Sequence, residues 1–433
     1  MTSGAGARPP TALYVHVPFC LSVCPYCDFV VYAGKAARGQ GNRLETFFSA
    51  LLAEIRLRGH AARREFAGLS ALDSVYLGGG TPSLLSADQV AALLEEIERA
   101  FGLAAGAEIT LEANPGLGEK GDLRGFRAAG VNRLSIGAQS MQPAELRSLG
   151  RRHSPADVIE TVRQARAAGF TNLSLDLLYD VPGQSAESWR QTLAAVLALE
   201  PEHVSAYALS LDDPEAEGLT GEQGDHLPVR AGARGWRERA RRLQDQDRAA
   251  ACYEAADEAL AGAGLIWYEL SNWARPGFES RHNLAYWRGQ PHEAAGPGAH
   301  AFDGGLTRRW NSARLDAYLT ALLPADHSPA RLPPGGSETV SEGLAAAEQA
   351  ILALRTRAGV PTALAAVPDL APAFAWAHSV GLLKKPASGC VSRYEAACWP
   401  RRSSGGCCPP ARRKPPPPPL DRRARWVPPL PSR

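Results

Sequence analysis

Short apolar runs alternate with longer stretches of helical periodicity through most of this chain. The runs Leu13–Val17, Ser74–Leu77, Glu108–Leu111, Arg133–Ile136, Leu173–Leu177 and Val204–Leu209 predict six strands. Between them, amphipathic stretches such as Ala87–Phe101 and Pro155–Ala168 predict helices, each opening at a serine, Ser86 or Ser154, able to cap its first turn. Repeating βα units of roughly 30–40 residues imply an α/β fold with a parallel sheet and right-handed crossovers.

Each predicted strand runs directly into residues suited to chemistry, where such folds carry their sites. The first reaches Cys20, Cys24 and Cys27, spaced C-x3-C-x2-C. A [4Fe–4S] cluster takes thiolate ligands, and three on one loop leave its fourth iron open to an exogenous chelate. The amino and carboxylate groups of S-adenosylmethionine (SAM) suit that corner. A zinc site normally adds a second ligand pair at defined spacing, which the next hundred residues lack, and a disulfide framework suits small secreted domains.

The second strand reaches Gly78-Gly79-Gly80-Thr81, and the third ends at Glu112 before Ala113-Asn114-Pro115. The fourth gives Gly137-Ala138-Gln139-Ser140, with Arg151-Arg152-His153 a helix-length later. Asp176 lies in the fifth strand and Tyr207 in the sixth. Glycines let a backbone approach a ligand closely, carboxylates accept from ammonium or hydroxyl groups, and Arg151 offers a planar fork. Singly, the glycine run reads equally as a strand-to-helix turn, and either carboxylate as a cap or ion-pair partner.

Composition changes the picture in one place. The formal charge of the 433 residues is +2, yet residues 384–433 hold 12 Lys+Arg against 2 Asp+Glu, leaving the rest at −8. An acidic body argues against a nucleic-acid surface. The same segment carries 12 of the 34 prolines and four of the eight cysteines, a composition that predicts a disordered tail and reads as a change of reading frame near Lys384–Pro386. The N-terminal residues show no apolar signal region, and no run is long enough to span a membrane. The expectation is a cytoplasmic protein with at most peripheral membrane association.

The pieces YVHVPFCLSVCPYCDF, YLGGGTPSLL, LEANP, RLSIGAQS, GRRHS, LDLLYDVPGQ, YELSNWARPG, RHNLAYWRG and GPGAH resemble the radical SAM family that contains the oxygen-independent coproporphyrinogen III dehydrogenase and the HemW-type haem chaperone. The resemblance covers roughly residues 12–380. It implies a partial (β/α)6 TIM-like barrel over residues 1–240 and a smaller mixed helical C-terminal domain over 241–383, before the tail at 384–433. It implies that Cys20, Cys24 and Cys27 hold the cluster, and that Tyr14, Tyr26, Gly79, Gly80, Thr81, Glu112, Gln139, Arg151 and Asp176 contact SAM. Asp28-Phe29 after the third cysteine and the short N-terminus resemble the chaperone branch; the dehydrogenase typically has Gly-Cys there. His282-Asn283-Leu284-Ala285-Tyr286-Trp287 resembles that branch's haem-associated motif and makes His282 a candidate haem contact, while packing of this segment onto the barrel is the rival account. The implied partners are haem or porphyrin and acceptor haemoproteins, with a homodimer left open. The rival function is the dehydrogenase of porphyrin biosynthesis.

Some positions depart from the resemblance. Asp180 stands where the family usually has glycine, and residues 212–247 read as a long, charged, exposed loop. His16 is placed beside the cluster loop, His300 is read as structural, and Cys252 as a small buried apolar group.

Overall fold

The computed structural model describes residues 6–37, 39–326, 328–384 and 393–396. The six expected strands form β1 (Ala12–Val17), β2 (Leu72–Gly79), β3 (Leu103–Ala113), β4 (Arg133–Gln139), β5 (Leu173–Tyr179) and β6 (His203–Ala208), paired in parallel in that order. The helices α1 (Leu44–Glu65), α2 (Ala87–Phe101), α3 (Leu123–Ala129), α4 (Pro143–Ser148), α5 (Pro155–Ala167) and α6 (Ala186–Leu197) fall between them. Ser86, Ser154 and Ser185 each close a reciprocal cap at the start of α2, α5 and α6, so side chains satisfy amides that no earlier turn can reach.

The period-two pattern assigns two faces to every strand. Leu13, Val15 and Val17, then Val75 and Leu77, Ile109 and Leu111, Leu134 and Ile136, Leu173 and Leu175, Val204 and Ala206 all join one apolar core with the helices. The alternate positions are polar: Tyr14 and His16, Ser74 and Tyr76, Glu108 and Glu112, Arg133 and Ser135, Ser174 and Asp176, His203 and Ser205. They bond one another across strands. Ser135 donates to Asp176 at 2.9 Å, and Ser174 lies 2.8 Å from Nδ1 of His203. The barrel is thus apolar outside, under its helices, and polar within.

The sheet continues past six strands. After α7 (Ala231–Leu243) and α8 (Gln246–Gly262) come β7 (Ile266–Glu269), β8 (Asn272–Ala274), α9 (Arg281–Trp287), β9 (His292–Ala295), β10 (His300–Phe302), β11 (Thr307–Asn311), α10 (Leu315–Leu322) and β12 (Gly335–Thr339). The strand order is β12-β11-β10-β9-β1-β2-β3-β4-β5-β6-β8-β7, with β9 parallel to β1. The chain divides into compact units ending and beginning at Thr339 and Val340. The expected boundary at residues 240/241 falls within α7, inside the first unit. Within the second unit, helices Glu342–Leu354, Thr362–Ala365 and Ala371–Ser379 and a small antiparallel sheet gather a core of Ala350, Val360, Ala365, Phe374 and Leu383. The tail expected over 384–433 lies outside the described residues apart from Lys384 and residues 393–396.

Residues 212–247 correct the expectation of an exposed loop. They hold α7, on which Arg237 and Ala240 are buried, because these two side chains turn toward the cysteine loop and the ends of β5 and β6. Asp180 has φ of 57°, the left-handed region where glycine is easiest, which accounts for the glycine expected there. Its carboxylate is held by Arg248, whose Nε donates at 2.9 Å.

Candidate functional site

At the carboxyl ends of β1 to β5 lies a cavity of about 790 Å³, measured out to its mouth. Cys20, Cys24, Cys27, Tyr26, Gly79, Gly80, Thr81, Glu112, Gln139, Arg151 and Asp176 all line it. Eleven of the thirteen residues singled out from sequence thus meet in one place.

The cysteine loop is short, and main-chain bonds hold it. Cys27 N–H donates to Cys24 O at 3.1 Å, closing a turn between the second and third cysteines. Gly80 N–H donates to Val17 O at 2.9 Å, locking the glycine run against the end of β1. Only glycine fits there, since a Cβ on Gly80 would sit 2.7 Å from Phe19 O and 2.8 Å from Val17 O. Beside it, Cys20 Sγ lies 3.1 Å from Thr81 Oγ1, which also accepts from Asn114 Nδ2 at 2.9 Å. Arg151 donates to Asn114 Oδ1 at 2.5 Å and to Gly137 O at 2.8 Å, and its other terminal nitrogen lies 3.9 Å from Cys24 Sγ.

Burial pushes the Cys20 thiol up to about 12 and the Cys27 thiol well above its usual range. Thiols in such a place ionise when a metal displaces the proton. All three are free of disulfides. Among the described residues no three His, Cys, Asp or Glu side chains converge on a single ion. A cube of four irons sets a different geometry, because each thiolate binds its own iron.

Across the cavity, Glu112 Oε2 accepts from Gly79 N–H at 3.1 Å, while its Oε1 has no partner. Gln139 Oε1 is likewise buried without a partner, on a residue with φ of 63°. A buried acceptor with no donor is costly, and both of these belong to residues that line the cavity. Asp176 differs: Ser135 and Ser174 donate to it, fixing its orientation. The site therefore fits a cluster on one wall and an ammonium- and hydroxyl-bearing ligand on the other.

Burial holds Glu112 up at about 8 against the usual 4.5. Between those values the unfolded carboxylate has released its proton and the folded one keeps it, so Glu112 makes stability fall as pH rises through that window. Glu269, also held up at about 8 by burial, acts with the same sign. Glu112→Gln is expected to reduce the slope of unfolding free energy against pH between 5 and about 8. Urea titrations at stepped pH check this; an unchanged slope would mean that Glu112 is ionised in the fold.

Two expected site residues lie elsewhere. Tyr14 is one layer beneath the cavity floor, its hydroxyl donating to His16 Nδ1 at 3.0 Å while His16 Nε2–H donates to Val30 O at 2.9 Å. Both therefore brace the cysteine loop from below, because their strand positions face the barrel interior. His282 also lies away from this cavity. It is 1% exposed, with Nδ1 at 3.0 Å from Ser74 Oγ and Nε2 at 2.8 Å from Tyr286 hydroxyl. Glu108 accepts from the main-chain N–H of Arg281 and His282, seating α9 in the mouth of the barrel's far end. The ring is packed 5.2 Å from Tyr76 and 4.9 Å from Tyr286, centroid to centroid. Neither nitrogen is available to a haem iron in this arrangement. His282→Ala is expected to cost about 2–3 kcal/mol of stability, from a lost buried ring and an orphaned Ser74 hydroxyl, read as a fall in the urea midpoint.

Sequence reasoning passed over Asn114 and Ser135 as site residues. Asn114 joins Thr81 to Arg151, and Ser135 orients Asp176. The alternation Arg133-x-Ser135-x-Gly137 held the signal for Ser135; for Asn114 only its place two residues after Glu112 did.

A sequence profile of the Radical SAM superfamily matches residues 14–196. The heme chaperone HemW of Mycobacterium tuberculosis (strain H37Rv) is 39% identical over 354 residues, 82% of this chain and 84% of that protein. The chain belongs to the HemW-type radical SAM family. The Escherichia coli K12 HemW is 35% identical over 292 residues, 67% of this chain and 70% of its own length. The mitochondrial radical S-adenosyl methionine domain-containing protein 1 of Bos taurus is 36% identical, covering 83% of this chain and 76% of that one. Among solved structures, coproporphyrinogen III oxidase (HemN) from Escherichia coli superposes with a TM-score of 0.66 at 20% identity, over 90% of this chain and 87% of that one, and shares its fold. Membership of the radical SAM family implies a [4Fe–4S] cluster and SAM. No helix among the described residues is long and apolar enough to cross a membrane.

Proposed function

We propose that this chain is a haem chaperone. It holds a [4Fe–4S] cluster on Cys20, Cys24 and Cys27, binds SAM in the same cavity, binds haem and passes it to acceptor haemoproteins. The observation that carries the reading is the similarity to HemW proteins along four fifths of the chain, together with the convergence of the three thiols and the orphaned acceptors on one cavity. A bound cluster supplies one-electron chemistry toward SAM. The chain's own residues do the rest. Thr81 supports the Cys20 sulfur, and Arg151 sets a positive group against Cys24 while anchored to Asn114 and β4. Glu112 and Gln139, which line the cavity, are the acceptors for the ligand's ammonium, and that contact would favour ionised Glu112. Asp176, already oriented by its serines, accepts from ribose hydroxyls. A reducing compartment such as the cytoplasm suits three free thiols.

The test is an anaerobic assay of the cluster-reconstituted chain with SAM, a reductant and coproporphyrinogen III, beside a haem titration. The expected result is a Soret band with transfer of haem to an apo-haemoprotein, and no porphyrin product. Protoporphyrinogen formed with matching 5′-deoxyadenosine would overturn the chaperone reading in favour of the dehydrogenase.

A further inference from the structure

We propose that Arg237 on α7 is a positioning residue for the cluster loop, fixing the backbone between Cys24 and Cys27 and so the way the thiolates meet their irons. The inference rests on the cluster site proposed above. Arg237 is 1% exposed, among the largest fully buried side chains of the described residues. One terminal nitrogen donates to Tyr26 O at 3.0 Å and the other donates to Asp212 O. Neither partner is a carboxylate. A buried guanidinium is expensive to desolvate, and spending it on two main-chain carbonyls of separate segments is justified where backbone geometry matters.

Tyr26 is one of the two residues between the second and third cysteines. The Cys27-to-Cys24 bond closes that turn, and Arg237 binds the Tyr26 carbonyl, which takes no part in that bond. The helix bearing Arg237 is itself seated at the loop. Arg230 donates to Val31 O at 3.0 Å, and Trp236 Nε1 donates to Ser148 O at 2.9 Å. The Tyr26 and Trp236 rings lie 6.5 Å apart, and Tyr26 shares a small apolar cluster with Leu149, Leu178 and Ala240. A charged helix that sequence alone reads as exposed thus closes over the cysteine loop.

Arg241, one turn further along α7, supplies the control. Its Nε donates to Leu211 O at 3.1 Å, seating the helix without bonding the cysteine loop. The experiment compares full-length wild type, Arg237→Ala, Arg237→Lys and Arg241→Ala after anaerobic cluster reconstitution. It reads iron and sulfide content, the rate of iron release to a chelator, and the EPR line shape of the reduced cluster. Arg237→Ala is expected to load a cluster but release iron about tenfold faster or more, the size of one lost charge-assisted hydrogen bond, with an altered line shape. Arg237→Lys should fall between, because an ammonium reaches one carbonyl but not both; it also carries the comparison if the alanine variant does not fold. Arg241→Ala should release iron as wild type does. Wild-type release from both Arg237 variants, or equal acceleration by Arg241→Ala, would overturn the proposal. A wild-type chain that loads no cluster would overturn the cluster site beneath it as well.

Discussion

Replacing Cys24 by alanine is expected to remove the cluster altogether, with iron and sulfide per chain falling to background after anaerobic reconstitution. The cavity offers three thiols, and the remaining free cysteine among the described residues, Cys252, is buried beside Trp189 and away from it. Two thiolates cannot hold a cube that already leaves one iron open. The side chain is small and half-buried, so the fold should survive and far-UV circular dichroism should match wild type. Unchanged iron and sulfide would overturn the assignment of the cysteine motif.

The second large effect is expected far from the cysteines. Glu54 on α1 is fully buried and accepts from Arg58 Nε at 2.7 Å, Asn311 Nδ2 at 2.8 Å, Gly296 N–H at 2.8 Å and Tyr318 hydroxyl at 2.7 Å. Arg58 in turn donates to Asn311 Oδ1 at 2.7 Å. This carboxylate pins α10, β11 and the loop after β9 to α1. Removing its cation by Arg58→Ala leaves a charge buried and unpaired, which costs about 3–5 kcal/mol. The urea midpoint should fall accordingly, and adding Glu54→Gln should recover part of the loss by removing the charge. A loss under about 1 kcal/mol would show that Glu54 is not held as a buried anion.

The elements and most of the cavity were legible because both are local properties of the chain. A strand is a short apolar run, a cap is a serine before a periodic stretch, and a strand end carries its site residue a position or two later. Ala87–Phe101 begins and ends where its pattern predicts. What escaped depends on partners remote in sequence. The polar faces of β1 to β6 do not announce that they face one another. Five of the thirteen residues of helix α7 are arginine, which reads as solvated until Tyr26 O and Asp212 O are placed beside Arg237. His282 is a candidate haem contact only through the resemblance of its segment to a haem-associated motif, and packing onto the barrel is the rival account. Its ring is instead occupied by Ser74, more than two hundred residues earlier, and by Tyr286, a turn later. The sheet beyond β6 was missed because its strands are too short for periodicity to speak.

The pairing of β9 with β1 sets an order of events during synthesis. The cysteine loop ends at Cys27 and its neighbouring strand begins at His292, so about 265 residues must be translated between them. At ribosomal speeds of 5–20 residues per second that is a delay of roughly 13–53 s. Throughout it, β1 presents an open edge, and the three thiols stand on a loop that lacks the Gly296 segment meant to buttress His16 beneath it. Nascent chains in that interval are the population most exposed to oxidants and stray metals. β1 gains its second neighbour only once residues 292–295 have been made.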